Sequence, residues 1–196
     1  MLQILGVLQQ LAPDSLPSNP IRAAHLIAEA ERLAYADRER YLADSDFVAV
    51  PLVGLTSPEY LTARAALVRP NRSLGRALPG SPPGAPVAEL ADDASPELAA
   101  TSGSAIINHV VKTLVAVLDW NLDLQQAINL PNVGSRNGPT ELELGTAAAG
   151  WAEPLRALGH EVRVIDMTSG VHGIQRTLGG WSGGADPRRE GVAKGD

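Results

Sequence analysis

The sequence predicts a helix-rich α/β fold whose few strands are confined to the C-terminal half. Three observations lead there. Apolar residues recur at three- and four-residue spacing over Ala23, Leu26, Ile27, Ala30, Leu33 and Ala34, and again over Ile107, Val110, Val111, Leu114, Val117 and Leu118. That is the pattern of helices with one buried face. Short alternating or β-branched segments occur only late, at Thr140–Leu144, Val162–Val164 and His172–Thr177. Between the two halves, residues 70–104 lose all periodicity.

The elements follow in order. Leu2, Leu5 and Leu8 suggest a short amphipathic helix that stops at Pro13. It lacks a charged leader region and a small-residue cleavage site, so it reads as a helix and not as a signal peptide. Asn19-Pro20 offers an N-cap followed by proline in the first turn. The stripe that follows continues through Asp37 and Tyr41. A carboxylate on a core-facing line must find donors, with Arg38 or a nearby backbone turn as candidates. Ser57-Pro58 opens another helix, to about Val68. Pro70, Pro79, Pro82, Pro83, Pro86 and Pro96, with Gly80 and Gly84, mark residues 70–104 as a linker or flexible loop. The helix at Ile107–Leu118 is the strongest in the chain. A shorter one fits Leu122–Leu130, and a third fits Trp151–Leu158 with Gly159 as its cap. The tail from Gly179 is glycine-rich and charged, and reads as turns. Three parts result: a helical 1–69, the linker 70–104 and an α/β segment 105–196.

Composition excludes several functions. Net charge is −6, without a block of Lys or Arg, so the footprint of a nucleic-acid binder is absent. No apolar run approaches the roughly 20 residues of a membrane span. The chain has no cysteine, which removes disulfides and thiolate chemistry. Aromatics are only 4%, so the core has few large anchors. His25, His109, His160 and His172 are far apart in sequence and form no metal-ligand spacing. Glu89 and Asp92-Asp93 read as solvated loop acids. No cofactor or metal is implied.

The stretch Ala99-Ala100-Thr101-Ser102-Gly103-Ser104 lies where the loop enters the strongest helix. Unpaired N–H groups at a helix start can receive a carboxylate or a developing oxyanion. A hydroxyl beside such donors is one arrangement for acyl transfer. Composition and spacing alone favour the plainer reading, in which Ser102 or Ser104 caps the helix.

Three further stretches carry a resemblance. Glu29-Ala30-Glu31-Arg32-Leu33-Ala34-Tyr35-Ala36-Asp37-Arg38, with Tyr41–Phe47 and Val50-Pro51, resembles the end of the large subunit of gamma-glutamyltransferases. Asp123–Ile128 with Leu130-Pro131-Asn132 is similar to a helix and turn of that family's small subunit. Gly184-Ala185-Asp186-Pro187-Arg188-Arg189-Glu190-Gly191 resembles its C-terminal signature. The resemblance implies an αββα N-terminal-nucleophile hydrolase fold, present here as partial layers. It implies self-cleavage before a threonine, which then attacks gamma-glutamyl amides such as glutathione. A threonine hydroxyl is a weak nucleophile, and a freed α-amine of pKa about 8 can serve as its base. Thr101 matches that threonine, with Ala100–Thr101 as the scissile bond. Gly103 and Ser104 match the last two residues of the family's oxyanion element.

The pattern also departs from the family. Thr101-Ser102 runs at once into Gly103-Ser104, where the family has a long central stretch of strands that binds the glutamyl group. The upstream part with a substrate-binding arginine has no match. The expectation is therefore a family chain joined across a missing middle, impaired alone, with a gamma-glutamyl small molecule as substrate. The alternative is a non-catalytic binding or self-associating fragment. The family's bacterial members are often periplasmic or secreted, but the compartment of this chain stays open.

Overall fold

The computed structural model describes residues 1–12, 16–85 and 105–194. Helices α1 (Leu2–Leu11), α2 (Pro20–Tyr41), α3 (Leu52–Leu55) and α4 (Pro58–Ala65) form the first half. Helices α5 (Ala105–Leu118) and α6 (Leu124–Asn129) open the second. Strands β1 (Val133–Ser135) and β2 (Thr140–Glu143) follow, then a 3-10 turn (Ala147–Trp151), α7 (Ala152–Ala157) and β3 (Val162–Ile165). Strands β4 (His172–Thr177) and β5 (Gly180–Ala185) close the order. The α/β class expected from sequence is the class observed.

Helix boundaries obey local chemistry. Asn19 caps α2 by accepting from the Arg22 amide at 3.4 Å, with Pro20 in the first turn. Ser57 caps α4 and Asp123 caps α6 in the same way. Gly159 follows α7 at φ 87°, where a Cβ would be strained. Helix α4 ends three residues before the expected Val68, and α3 and β1 are too short to stand out in sequence.

Helix α2 is the axis of the molecule. Every residue from Ala23 to Asp37 is buried, so the expected one-sided stripe is enclosed on all sides. Ile27, Ala30, Leu33 and Ala34 pack with Ile4, Val7 and Leu8 of α1 and Val111 and Val115 of α5. Ala23 and Ala24 pack on a second cluster of Val133, Leu142, Leu155 and Val162. Trp120 touches both clusters. Alanines on α2 let these neighbours approach closely, which offsets the scarcity of aromatics.

The sheet is small. β1 and β2 pair antiparallel, and β2 pairs parallel with β3 through the α7 crossover. β4 and β5 form a separate antiparallel hairpin. The glycine-rich run Gly179–Gly184 is thus largely strand, not turns. The reason is close packing: a Cβ at Gly184 would lie 2.7 Å from Ile128 Cδ1 of α6, and one at Gly173 would lie 3.1 Å from Leu124. Glycine is needed there for approach. The outer face of the hairpin leaves Ile174 and Trp181 exposed.

The buried face of α5 is also rotated from expectation. Asn108, Val111, Lys112 and Val115 are buried, while Ile106 and Leu118 face solvent. The polar partners of Asn108 and Lys112, described below, decide the rotation. No helix among the described residues is long and apolar enough to cross a membrane.

Substituting Gly184→Val should cost about 1–3 kcal/mol by forcing the hairpin off α6. The same change at Gly179, whose Cβ position is open, should cost far less. Urea unfolding of both variants checks this, and equal costs would contradict the close-packing account.

Candidate functional site

Ala100, Thr101, Gly103 and Ser104 lie outside the described residues, as do Ser102, Glu89, Asp92 and Asp93. What the structure describes is the framework on either side of them. Two buried polar systems build it.

The first is on α2. Asp37 accepts from Gln3 of α1, from the Tyr60 hydroxyl at 2.8 Å and from the Gly80 amide at 2.7 Å. Arg64 pairs with it at 3.1 Å. The expected backbone turn therefore supplies a donor, but Arg38 does not; it is exposed over the Tyr35 ring. Tyr41 also donates to the Gly80 carbonyl at 2.6 Å. Burial, helped by Asp37, pushes the Tyr60 hydroxyl above its ordinary range. Glu29 accepts from Arg32, from Ser73 Oγ at 2.9 Å and from the Leu74 amide at 2.7 Å. Arg32 also donates to the carbonyls of Gly75 and Gly138 and to Thr140 Oγ1. Residues 73–80 are irregular and are tied to one buried helix.

Glu31 faces the start of α5. Its Oε2 accepts from the Ser135 amide at 2.7 Å and from Asn108 Nδ2 at 3.2 Å. Asn108 in turn accepts from the Tyr35 hydroxyl at 2.9 Å. Burial pushes the Glu31 carboxyl well above the usual range, against the opposing pull of Ser135 and Arg32. Its Oε1 has no hydrogen-bond partner among the described residues. Asn108 stands four residues beyond Ser104, so this contact fixes the helix that follows the expected processing segment.

Sequence spacing gave no hint of a third feature. His25 Nδ1 and His160 Nε2 lie 2.7 Å apart, and Glu29 joins them in a fully buried group whose donor atoms all lie within 4.8 Å. These are metal-ligand residue types, so the fold assembles a cluster that the distant histidines did not suggest. The hydrogen bonds, however, fix both tautomers. His25 Nε2 faces the Arg69 carbonyl at 2.8 Å and must carry a proton. His25 Nδ1 then accepts from His160 Nε2, and His160 Nδ1 accepts from Thr140 Oγ1 at 2.8 Å. Thr140 accepts from Arg32. The 4.0 Å approach of His160 to Glu29 is not an ion pair, because burial, then His25 and Arg32, depress the imidazole to about 3. The group is a hydrogen-bonded strut between α2, β2 and the Arg69 turn.

The second system unites α5, α6, β2 and the C-terminal stretch. Lys112 is buried and donates to the carbonyls of Ile128 and Leu130 and to Asn132 Oδ1. Arg188 pairs with Glu143 and Asp186, and donates to the same two carbonyls. Asp186 accepts from Ser169, Val171 and the Arg188 amide. Gln125 bonds the backbone of Ala185 in both directions. Burial alone would raise Asp186, but the bonds from Ser169 and Arg188 bring it down to about 2. Burial, then Arg188, lowers Lys112 to about 8. Burial, then Lys112, lowers His109 to about 4.

These arrangements organise structure. Sequence reading missed the roles of Glu29, Glu31, Arg32 and Lys112, because, apart from the Glu29–Arg32 pair within α2, their partners are 16 to 108 residues away.

Comparison with known proteins supplies the chemical context. The family model for gamma-glutamyltranspeptidase matches residues 1–102 and, as a second stretch, residues 85–196. The glutathione hydrolase proenzyme of Pseudomonas aeruginosa is 44% identical over 73 residues, which are 36% of this chain and 13% of that protein. That of Escherichia coli is 37% identical over 73 residues, 37% of this chain and 13% of the relative. Each match thus spans a small fraction of the relative's length. The crystal structure of cephalosporin acylase from Bacillus halodurans superposes with a TM-score of 0.75 at 18% identity, over 95% of this chain and 47% of that one. This establishes the shared fold.

Two outcomes are expected. Arg188→Met leaves Glu143 and Asp186 buried without their counter-charge and should cost about 3–5 kcal/mol in urea unfolding; a cost below 1 kcal/mol would contradict the pairing. Stability should also fall as pH drops from 6.5 toward 3. The folded chain keeps His109 neutral down to about pH 4 and His160 down to about pH 3, while the unfolded chain binds their protons from about 6.5 downward. Asp186 adds a further loss between about 4 and 2. A melting temperature that stays level from pH 7 to 4 would contradict these assignments.

Proposed function

The chain belongs to the gamma-glutamyltranspeptidase family, and on that premise we propose that its chemistry is acyl transfer from gamma-glutamyl amides such as glutathione, impaired in this chain alone. The nucleophile in this reading is Thr101. Cleavage of the Ala100–Thr101 bond frees its α-amine, which takes the hydroxyl proton as Oγ1 attacks the gamma-carbonyl. Gly103 and Ser104 stand at the oxyanion position, where backbone N–H groups stabilise the developing charge. Water or an amino acid then releases the acyl group.

One observation carries the reading. The family model is met in two stretches that overlap between residues 85 and 102, around the proposed cleavage point. Two separated parts of the family pattern abutting at that point account for the overlap. The chain spans only 47% of the acylase fold. A nucleophile lacking the remaining strands is not held at the near-attack distance that acyl transfer requires. Impairment follows from that loss of support.

A second reading, a binding or self-associating fragment, draws on the hairpin's exposed Ile174 and Trp181 and on Ile106 and Leu118 of α5. Apolar side chains left exposed in this way gain from burial when a partner covers them. A sharp monomer in sedimentation velocity would exclude it.

Intact mass after overnight incubation, with a gamma-glutamyl amide assayed on the same sample, tests the first reading. An uncleaved chain without turnover is expected for the isolated protein. Two fragments divided at Ala100–Thr101, with turnover, would overturn the impairment. Thr101→Ala should remove any residual hydrolysis, and activity untouched by that change would overturn the nucleophile.

A further inference from the structure

A surface cleft of about 450 Å³ lies between the turn at Arg69–Arg72 and the end of α7, lined by Arg69, Asn71, Arg72, Ala157, Leu158 and Gly159. We propose that it binds a compact oxyanion, a phosphate or carboxylate group carried by a small molecule, independently of the family chemistry.

The lining offers the right functional groups. Two guanidiniums and one amide supply N–H donors, and no acidic side chain lines the cleft. Guanidinium presents a planar fork that matches the oxygens of phosphate and carboxylate. Both arginines are exposed, and neither side chain pairs with a carboxylate among the described residues. On a chain with 22 acidic residues and net charge −6, two neighbouring arginines left together are a departure from the surrounding charge. An anion between them relieves their mutual repulsion.

The backbone is held in place before any ligand arrives. Arg69 and Arg72 form an isolated antiparallel bridge, closed by the Arg72 amide on the Arg69 carbonyl at 3.4 Å. The same carbonyl accepts from buried His25 Nε2 at 2.8 Å. The next residue, Ser73, donates its amide to the Leu158 carbonyl at 2.7 Å, which joins the two walls of the cleft directly. Its hydroxyl and the Leu74 amide are fixed on Glu29. Gly159 and His160 amides are spent on the carbonyls of Arg156 and Leu155, so the opposite wall is also set. Only the Arg69, Asn71 and Arg72 side chains are left to order on binding, which keeps the entropic cost low. The His25–His160 strut, otherwise remote from the family motifs, acquires a role here: it positions the turn.

Isothermal titration of the full chain with inorganic phosphate and, separately, with citrate tests this at constant ionic strength. Saturable binding of either anion is expected; phosphate alone or citrate alone identifies the anion class. Arg69→Ala and Arg72→Ala should each weaken binding about tenfold, the loss of one charged hydrogen bond. The fold should persist, because the Arg69 carbonyl that holds the turn remains in the variant. Arg176→Ala, on the distant hairpin, should leave the affinity unchanged. Circular dichroism of each variant separates lost binding from lost folding, and Arg72→Lys, which keeps the charge but not the fork, should lie between. No saturable binding of either anion, or equal affinity in Arg69→Ala, Arg72→Ala and the parent, would overturn the proposal.

Discussion

The structure depends on one constraint: a helix buried on every side that carries His25, Glu29, Glu31, Arg32 and Asp37 must satisfy all of them away from water. A buried charge without partners costs several kcal/mol. Apart from the Arg32–Glu29 pair within the helix, the donors and acceptors that meet them are on other elements. Glu29 therefore holds residues 73 and 74, Arg32 holds residues 75 and 138 and β2, Glu31 holds β1 and α5, and Asp37 holds α1, α4 and residue 80. Hydrophobic burial collapses the chain, but an alanine-rich core tolerates many arrangements. Directional polar contacts on α2 select one of them.

The Lys112–Arg188 system repeats this logic at the other end. Ile128 and Leu130 close a short helix with carbonyls that no helical amide can reach. Lys112 and Arg188 share those carbonyls. The C-terminal stretch is thereby locked to α5 and α6, and the isolated hairpin, too small to be stable by itself, gains its support. Family membership is thus expressed mainly in scaffold. Charged residues of the first and third resembling stretches, Glu29, Glu31, Arg32, Asp37, Asp186 and Arg188, lie in these two systems, while the segment with Thr101 joins two flanks that are each tied to α2, through Gly80 on one side and Asn108 on the other.

Much of the fold was legible locally. Asn19 and Ser57 at helix starts and Gly159 at a helix end mark boundaries through chemistry that acts within four residues. The candidate site was legible only as a resemblance, since Thr101, Gly103 and Ser104 have no distinguishing pattern of their own. What misled was periodicity without partners. The apolar stripe of α5 pointed to a face centred on Val110 and Leu114, yet Asn108 and Lys112 turned inward because their acceptors lie there. The glycine-rich run through Gly184 suggested turns, yet α6 required the missing side chain of Gly184.

The sequence by itself therefore determined the class, the longer helices and the family, because propensity, capping and motif order are short-range or are written directly in residue order. Tertiary structure alone decided which charges are buried, that His25 meets His160 across 135 residues, and that two arginines flank an open cleft. Those features arise from contacts between distant segments, whose pairing depends on how all the elements pack at once.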